Sequence, residues 1–272
     1  MSSLIFLFSN LLLAGTLVLA SCVAIERDNP DDPKSGNYVD KSGLKSSVGE
    51  YSSSLVPPSS SSVEEREHYG KMKPVFTDPR DGKKYVYVKM GNKTWMAENL
   101  NYNADRYNAG GSKCYNDDPA NCEKYGRLYN WETAKMACPS GWYLPSHAEW
   151  GDLYDVATPL CNDFCPTGTK LKSANGWDDW VGENTQETMS GNGTDDHGFT
   201  ALPGGYYTNT LYDGTFFLNI GFSDIGETGL WWTSNEDVSD AYFYAILTDY
   251  EYLFWDKENK NNVFISVRCV KH

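Results

Sequence analysis

Six cysteines between residues 114 and 269 constrain the fold of this chain more than any other feature. They are Cys114, Cys122, Cys138, Cys161, Cys165 and Cys269. An even number of cysteines in an exported chain indicates disulfides and leaves their connectivity open. Zinc is the alternative, but the sequence has no Cys-x-x-Cys motif, and its four histidines (His68, His147, His197 and His272) are far apart. We therefore expect neither zinc nor any other obligatory cofactor.

The first 21 residues carry no charge and are mostly apolar, and polar sequence follows at once. This pattern is typical of a signal peptide at 1–21 rather than of a membrane span. Leu19-Ala20-Ser21-Cys22 resembles the bacterial lipobox, in which cleavage leaves a lipid-modified cysteine that holds the protein to a membrane. One feature departs from the pattern, since no Lys or Arg precedes Arg27. The alternatives are a secreted chain cut elsewhere and an uncleaved anchor.

Composition indicates a tether followed by one domain. Ten of the 22 residues from Lys41 to Ser62 are serine, which predicts a disordered linker over 22–73. All nine tryptophans follow Pro74, so the folded domain is expected at 74–272. The net charge of −14 excludes electrostatic binding of nucleic acid.

Local patterns predict the first elements of this domain. Asp81-Gly82 and Gly91-Asn92 are turn sequences. The first precedes a predicted strand at 85–90, and the second connects that strand to a predicted strand at 93–97. Asn130 is a candidate N-cap for a helix that begins at Trp131. Ser146 and Glu149 form a capping-box pattern for a second helix, from His147 to about residue 156. Further strands are predicted near 199–202, 229–234, 241–248, 251–255 and 263–269.

The stretch "CPSGWYLPSHAEW" places a cysteine, a histidine and a glutamate close together. A catalytic interpretation needs a free thiol beside a base. Cys138 instead ends a predicted helix, and Glu149 occupies the position that a capping box requires. His147 is expected at the first helical position, facing solvent. The pattern therefore favours a structural role for these three residues, and no catalytic residue is assigned.

The segment "WETAKMACPSGWYLPSHAEW" resembles the opening of the C-type-lectin-like fold. That resemblance implies an α+β fold with two short helices, small twisted antiparallel sheets and long loops, stapled by disulfides. It also implies that Cys138 pairs with Cys269 in the last strand. Cys114 would then pair with Cys122, and Cys161 with Cys165.

Six blocks in order resemble the Fibrobacter succinogenes major paralogous domain. They are "DPRDGKKYVYVKMGNKTWMAENLNY", "CEKYGRLYNWETA", "CPSGWYLPSHAEW", "GFTALPGGYY", "GLWWTSN" and "SVRCV". The resemblance covers about residues 78 to 270 and implies an exported bacterial protein with a surface or adhesive role. It supplies no catalytic residue that can be transferred to this chain.

Aromatic loops are the candidate binding surface. Exposed rings stack on sugar faces, while neighbouring polar side chains bind the hydroxyl groups. The candidates are Trp177, Trp180, Tyr206, Tyr207, Tyr212 and Trp232. Trp231 and Trp232 are expected to alternate across a strand, so that only one of them faces outward. The alternative is that these rings fill the core.

Two polar clusters are further candidate sites. Asn235, Glu236 and Asp237 offer oxygens to calcium, although an acidic surface loop explains them equally well. Asp195, Asp196 and His197 imitate an acid–base set, but a solvated turn is the favoured interpretation.

The leading hypothesis is a bacterial surface lipoprotein that displays a binding domain for a glycan, a plant polysaccharide or an envelope protein. Val23 follows the lipidated cysteine, which favours the outer membrane. One alternative is an enzyme on a formylglycine-generating-enzyme-like scaffold, whose relatives use a cysteine pair with copper. The other is a structural envelope component without a small ligand.

Overall fold

The computed structural model describes residues 73–105, 108–161, 165–182, 185–209 and 220–272. All of them belong to one compact unit, Glu65–His272. The predicted signal peptide, Cys22, nearly all of the predicted linker and Tyr212 lie outside the described residues. Within the described ranges, no helix is both long enough and apolar enough to cross a membrane.

Four α-helices and one 3-10 turn occur among the described residues. They are the 3-10 turn Tyr115–Asp117 and the helices α1 Pro119–Tyr125, α2 Trp131–Ala137, α3 His147–Ala157 and α4 Thr167–Leu171. The expectation of two helices was therefore too low. The start of helix α1 was predictable from the sequence, because Asp118 caps it and Pro119 lies in its first turn. Helix α4 has five residues, which is too short to show a helical period.

The strands of the described residues are short. They are β1 Val75–Thr77, β2 Lys84–Met90, β3 Lys93–Met96, β4 Ser112–Lys113, β5 Leu128–Tyr129, β6 Trp180–Val181, β7 Thr188–Met189, β8 Gly204–Thr208, β9 Gly221–Ile225, β10 Thr228–Glu236, β11 Asp240–Leu247, β12 Phe254–Asn259, β13 Val263–Ser266 and β14 Val270–Lys271. One sheet has the order β1-β2-β3-β14. The larger sheet has the order β12-β11-β10-β13-β5-β4, with β8 joined to β13 and β9 to β8, and β6 pairs with β7.

The hairpin near the start of the domain is confirmed. Strands β2 and β3 are antiparallel, and Met90 pairs with Lys93 across the two-residue turn. Gly91 has a φ of +61°, which glycine adopts without steric cost. This turn was predictable because a hairpin register depends on residues adjacent in sequence.

Some predicted strands are displaced. Residues 199–202 form only an isolated bridge, from Ala201 to Lys172, and the neighbouring strand is β8. The predicted strand at 251–255 is instead β12, which starts at Phe254. Of the predicted strand at 263–269, only β13 at its start is observed; β14 begins one residue beyond it, in the other sheet, and Arg268 lies between the two strands.

The core lies on both faces of β10. Trp232 belongs to one buried cluster, together with Trp131 and Phe243. Its neighbour Trp231 belongs to a second buried cluster, together with Trp150. Alternation along a strand sends these two indoles to opposite faces, and each face is covered.

Three disulfides staple the domain. They join Cys114 to Cys122, Cys138 to Cys269, and Cys161 to Cys165. These are the pairs that the family resemblance implied. The observed elements establish an α+β class, whereas the more specific C-type-lectin-like fold stays a prediction.

Candidate functional site

Three aromatic side chains form a partly exposed surface that we call the aromatic platform: His147, Tyr242 and Trp255. The ring centroids of His147 and Trp255 are 5.0 Å apart, and those of His147 and Tyr242 are 5.8 Å apart. Tyr242 and Trp255 close the triangle at 5.7 Å. Trp255 is 52% exposed, whereas the other two rings are half-buried. The platform is therefore a continuous aromatic surface that solvent reaches.

Strand register places two of the three rings. Tyr244 of β11 pairs with Trp255 of β12, and Tyr242 pairs with Lys257. Directly paired residues share a face of an antiparallel sheet, so Tyr242 and Trp255 project to the same side.

Helix α3 supplies the third ring. His147 is its first residue, and the His147 backbone N–H donates to Asn235 Oδ1 at 2.7 Å. The Tyr244 hydroxyl donates to the His147 carbonyl oxygen at 3.3 Å. His147 was expected to face solvent, but it lies against the sheet because these two bonds fix the start of α3 there.

Buried rings support the platform from below. The His147 ring stacks on Tyr244, and Tyr244 stacks on the fully buried Trp150 with centroids 5.0 Å apart. Burial raises the pKa of Tyr244 to about 12, so its hydroxyl keeps the proton that it donates. The platform thus rests on packed side chains and is preorganised.

Two ion pairs tie β12 and the residue after it to the end of β10 and the turn that follows, and Lys257 of the first pair lies opposite Tyr242 of the platform. Lys257 Nζ lies 3.0 Å from Asp237 Oδ2, and Lys260 Nζ lies 2.6 Å from Glu236 Oε2. With Asn235 bound to the start of α3, all three predicted calcium ligands have other partners. Within the described ranges, no group of three or more His, Cys, Asp or Glu side chains is arranged to hold a metal ion.

The prediction of exposed rings is wrong at three positions. Trp177, Tyr206 and Trp232 are 3%, 1% and 0% exposed. The indole N–H of Trp177 donates to the Ala201 carbonyl oxygen, and that of Trp232 donates to the Tyr129 carbonyl oxygen. A ring buried in this way contributes to the core and cannot stack on a ligand. Trp231 and Trp232 do alternate across β10 as predicted, but neither faces outward, because both faces of the strand are covered.

Two predicted rings keep partial exposure. Trp180 lies in the β6–β7 hairpin, and Tyr207 lies in β8. Tyr207 packs against Phe222 and Phe264, and the Lys113 ammonium lies 4.8 Å from its ring centroid. Neither residue is part of the aromatic platform, so both stay separate candidates.

The platform itself was missed at the level of sequence. Its residues come from α3, β11 and β12, and predicted strands at 241–248 and 251–255 did not fix which residues pair. The available signal was the alternation of Tyr242 and Tyr244. It becomes informative only once Trp255 is known to lie opposite Tyr244.

The polar residues that resemble an acid–base set or a catalytic cysteine site have structural roles. Asp195 accepts hydrogen bonds from the backbone N–H and the hydroxyl of Thr200, at 2.6 and 2.9 Å. His197 Nε2 lies 3.2 Å from the Ala157 carbonyl oxygen. Cys138 is in a disulfide and Glu149 completes the capping box. The turn and the helix start account for these residues.

These features define a class, a disulfide-stapled α+β domain with an aromatic surface. Residues 88–271 match the family model of the Fibrobacter succinogenes major domain. The chain therefore belongs to that family. No curated protein and no solved structure matched the chain in the corresponding comparisons.

Proposed function

We propose that this chain is a bacterial surface lipoprotein whose domain binds a glycan through the aromatic platform. The exposed indole of Trp255 carries this proposal. Sugars present apolar C–H faces to aromatic rings, and polar groups at the rim bind their hydroxyls. Lys257 and Asp237 supply such groups beside the ring.

Rigidity supports the proposal. An exposed tryptophan held by packed neighbours loses little conformational freedom when a ligand binds, which favours affinity. Single exposed apolar residues are common and carry little meaning, but Trp255 extends into Tyr242 and His147 as one surface.

The test is a pull-down of the full chain, with disulfides intact, on cellulose and xylan. We expect Trp255→Ala to weaken retention up to about tenfold, because stacking on one ring contributes up to about 1.5 kcal/mol. Tyr250→Ala is the control, since Tyr250 is 40% exposed and lies outside the platform. A parallel series with a chelator tests whether calcium takes part.

The outcomes separate the hypotheses. Equal retention of the wild type and Trp255→Ala would contradict a role for the platform. Loss of binding in Trp180→Ala instead would move the site to the β6–β7 hairpin. No retention on any polysaccharide would favour a protein partner in the envelope, which crosslinking in intact cells identifies.

Attachment to the outer membrane through a lipid on Cys22 is part of the same proposal. We expect Cys22→Ser to move the chain from the membrane fraction to the soluble fraction and to abolish palmitate labelling. The reason is that acyl chains supply the membrane affinity in a chain of this kind. Membrane retention of Cys22→Ser without label would indicate an uncleaved anchor.

The enzyme alternative has less support. A copper-binding cysteine pair needs free thiols, and the six cysteines of the described residues form three disulfides. Titration of free thiols in the native chain tests this point. Two reactive thiols in the folded domain would restore the enzyme hypothesis.

A further inference from the structure

A second candidate site is a polar cavity of about 250 Å³ between the start of β2 and helix α1. Its polar lining includes Lys83, Lys84, Glu98, Asn101, Glu123 and Lys124. Helix α1 ends beside it at Gly126, which has a φ of +80°. A Cβ there would lie 2.6 Å from Asn99 Cβ, so glycine is required for this close approach.

One buried polar atom beside the cavity lacks a partner. Asn101 is 7% exposed, and its Oδ1 accepts no hydrogen bond from the described residues. Its other groups are occupied, since Nδ2 donates to Glu123 Oε1 and the backbone N–H donates to the Tyr85 hydroxyl. A buried acceptor without a donor costs about 1–3 kcal/mol. A ligand hydroxyl in the cavity would supply that donor.

Two lysines at the cavity have no ion-pair partner in the described part of the chain, whereas both carboxylates there already accept hydrogen bonds. Lys84 and Lys124 are exposed, and neither has a carboxylate within ion-pair distance among the described residues. Glu98 Oε2 already accepts from the Val86 backbone N–H at 2.7 Å, and Glu123 Oε1 accepts from Asn101. Within the described ranges, the groups without an ion-pair or hydrogen-bond partner are therefore the ammonium groups of Lys84 and Lys124 at the rim and the acceptor Asn101 Oδ1 in the wall.

That combination selects the ligand chemistry. The rim cations suit a carboxylate, and Asn101 Oδ1 suits a hydroxyl. The cavity is smaller than the roughly 300–1,000 Å³ of sites that hold drug-sized ligands, which suits a single sugar ring. We infer that this cavity binds one hexuronate residue of an acidic polysaccharide.

This inference goes beyond the proposed function, because the cavity and the aromatic platform share no residue. A neutral glycan would use the platform, and an acidic one would use the cavity. Each proposal can therefore fail without the other.

The experiment is titration calorimetry of the full chain, with disulfides intact, against trigalacturonate. Xylotriose serves as the neutral ligand and inorganic phosphate as the bare anion. We expect trigalacturonate to bind. Lys84→Gln should lower the affinity for trigalacturonate about tenfold, because it removes a charged hydrogen bond. Lys89→Gln is the matched control, because Lys89 is an exposed lysine on the same strand whose side chain projects from the opposite face.

Several results would overturn the inference. They are no heat of binding for trigalacturonate, equal binding of xylotriose, and equal weakening by Lys89→Gln. Phosphate that binds as tightly as trigalacturonate would show an anion site without sugar recognition. Binding lost in Trp255→Ala but kept in Lys84→Gln would place the acidic sugar on the platform instead.

Discussion

Arg268 is fully buried, and its guanidinium group is surrounded by neutral oxygens. It donates to Asn99 Oδ1 at 2.7 Å and to the carbonyl oxygens of Met96, Phe199 and Thr200. Burial lowers the pKa of Arg268 to about 9, which leaves it charged at neutral pH. A buried charge of this kind is tolerated because its donors are paired.

Four of the sequence blocks on which the family resemblance rests meet at this guanidinium. Asn99 comes from "AENLNY", Phe199 and Thr200 from "GFTALPGGYY", and Arg268 from "SVRCV". Trp231 of "GLWWTSN" joins them, since its indole N–H donates to Asn99 Oδ1 at 2.8 Å. In this chain those blocks therefore build a buried network rather than a surface that a ligand could reach.

At this scale we predict that Arg268→Met lowers the free energy of unfolding by about 3 kcal/mol or more. The reason is that three backbone carbonyl oxygens lose a buried donor and the apolar side chain supplies none. Urea denaturation is the measurement, and the m-value should stay unchanged. Lys89→Met is the control, since it removes a cation from an exposed position. Equal midpoints for the two variants would contradict the proposed network.

At the scale of elements, the capping box of α3 also links the helix to β3. The Ser146 hydroxyl accepts from the Glu149 N–H, and Glu149 Oε2 accepts from the Ser146 N–H at 2.8 Å. The other carboxylate oxygen lies 2.7 Å from Lys93 Nζ and accepts from the Tyr143 hydroxyl. One carboxylate thus fixes both the start of the helix and its contact with the sheet.

The pKa of Glu149 reports this link. Burial raises it, but hydrogen bonds from Lys93, Ser146 and Tyr143 outweigh burial and bring the pKa to about 2. A lowered pKa means that the ionised carboxylate stabilises the fold at neutral pH. That stabilisation is lost as the pH falls from the ordinary value of 4.5 towards 2.

We therefore predict that Glu149→Gln lowers the free energy of unfolding at pH 7 by about 1 kcal/mol, since the site is partly open to solvent and its charges are screened. The difference from wild type should shrink between pH 4.5 and 2. Thermal unfolding over that pH range is the measurement. Glu132→Gln is the control, because it removes only an exposed ion pair with Lys135. A difference that is independent of pH would show that the charge of Glu149 contributes nothing.

At the scale of the whole molecule, the disulfides differ in the length of chain that they close. Cys138 and Cys269 are 131 residues apart in sequence, whereas Cys161 and Cys165 are four apart. The longer bond ties the end of α2 to the segment just before β14. It therefore closes a loop over most of the unfolded domain, from the end of α2 onward.

We predict that removing the long bond with Cys138→Ser and Cys269→Ser costs about 5 kcal/mol, while removing Cys161–Cys165 costs about 2 kcal/mol. The larger loss follows from the loop-closure entropy that the long bond removes from the unfolded chain. Guanidinium denaturation of the two double variants is the measurement. Equal losses would indicate that local strain or packing, rather than chain entropy, governs these bonds.

Features that depend on residues adjacent in sequence were determined by the sequence. Asn130 and Ser146 cap α2 and α3, and Gly91-Asn92 forms the β2–β3 turn, as predicted. Each of these elements forms its defining hydrogen bonds within four residues, so the local sequence predicts it without knowledge of the tertiary structure. The pairing of Cys138 with Cys269 was different, because it required a resemblance to known proteins.

The exposure of each aromatic ring was decided only by the tertiary structure. A strand pattern states that Trp231 and Trp232 face opposite ways, but only the assembled layers cover both faces of β10. Trp255 is exposed on β12, which is the edge strand of the larger sheet. Burial depends on which elements pack together across more than a hundred residues, and no local pattern contains that information. The sequence alone thus identified a domain rich in aromatic residues, and the tertiary structure decided which of them a ligand can reach.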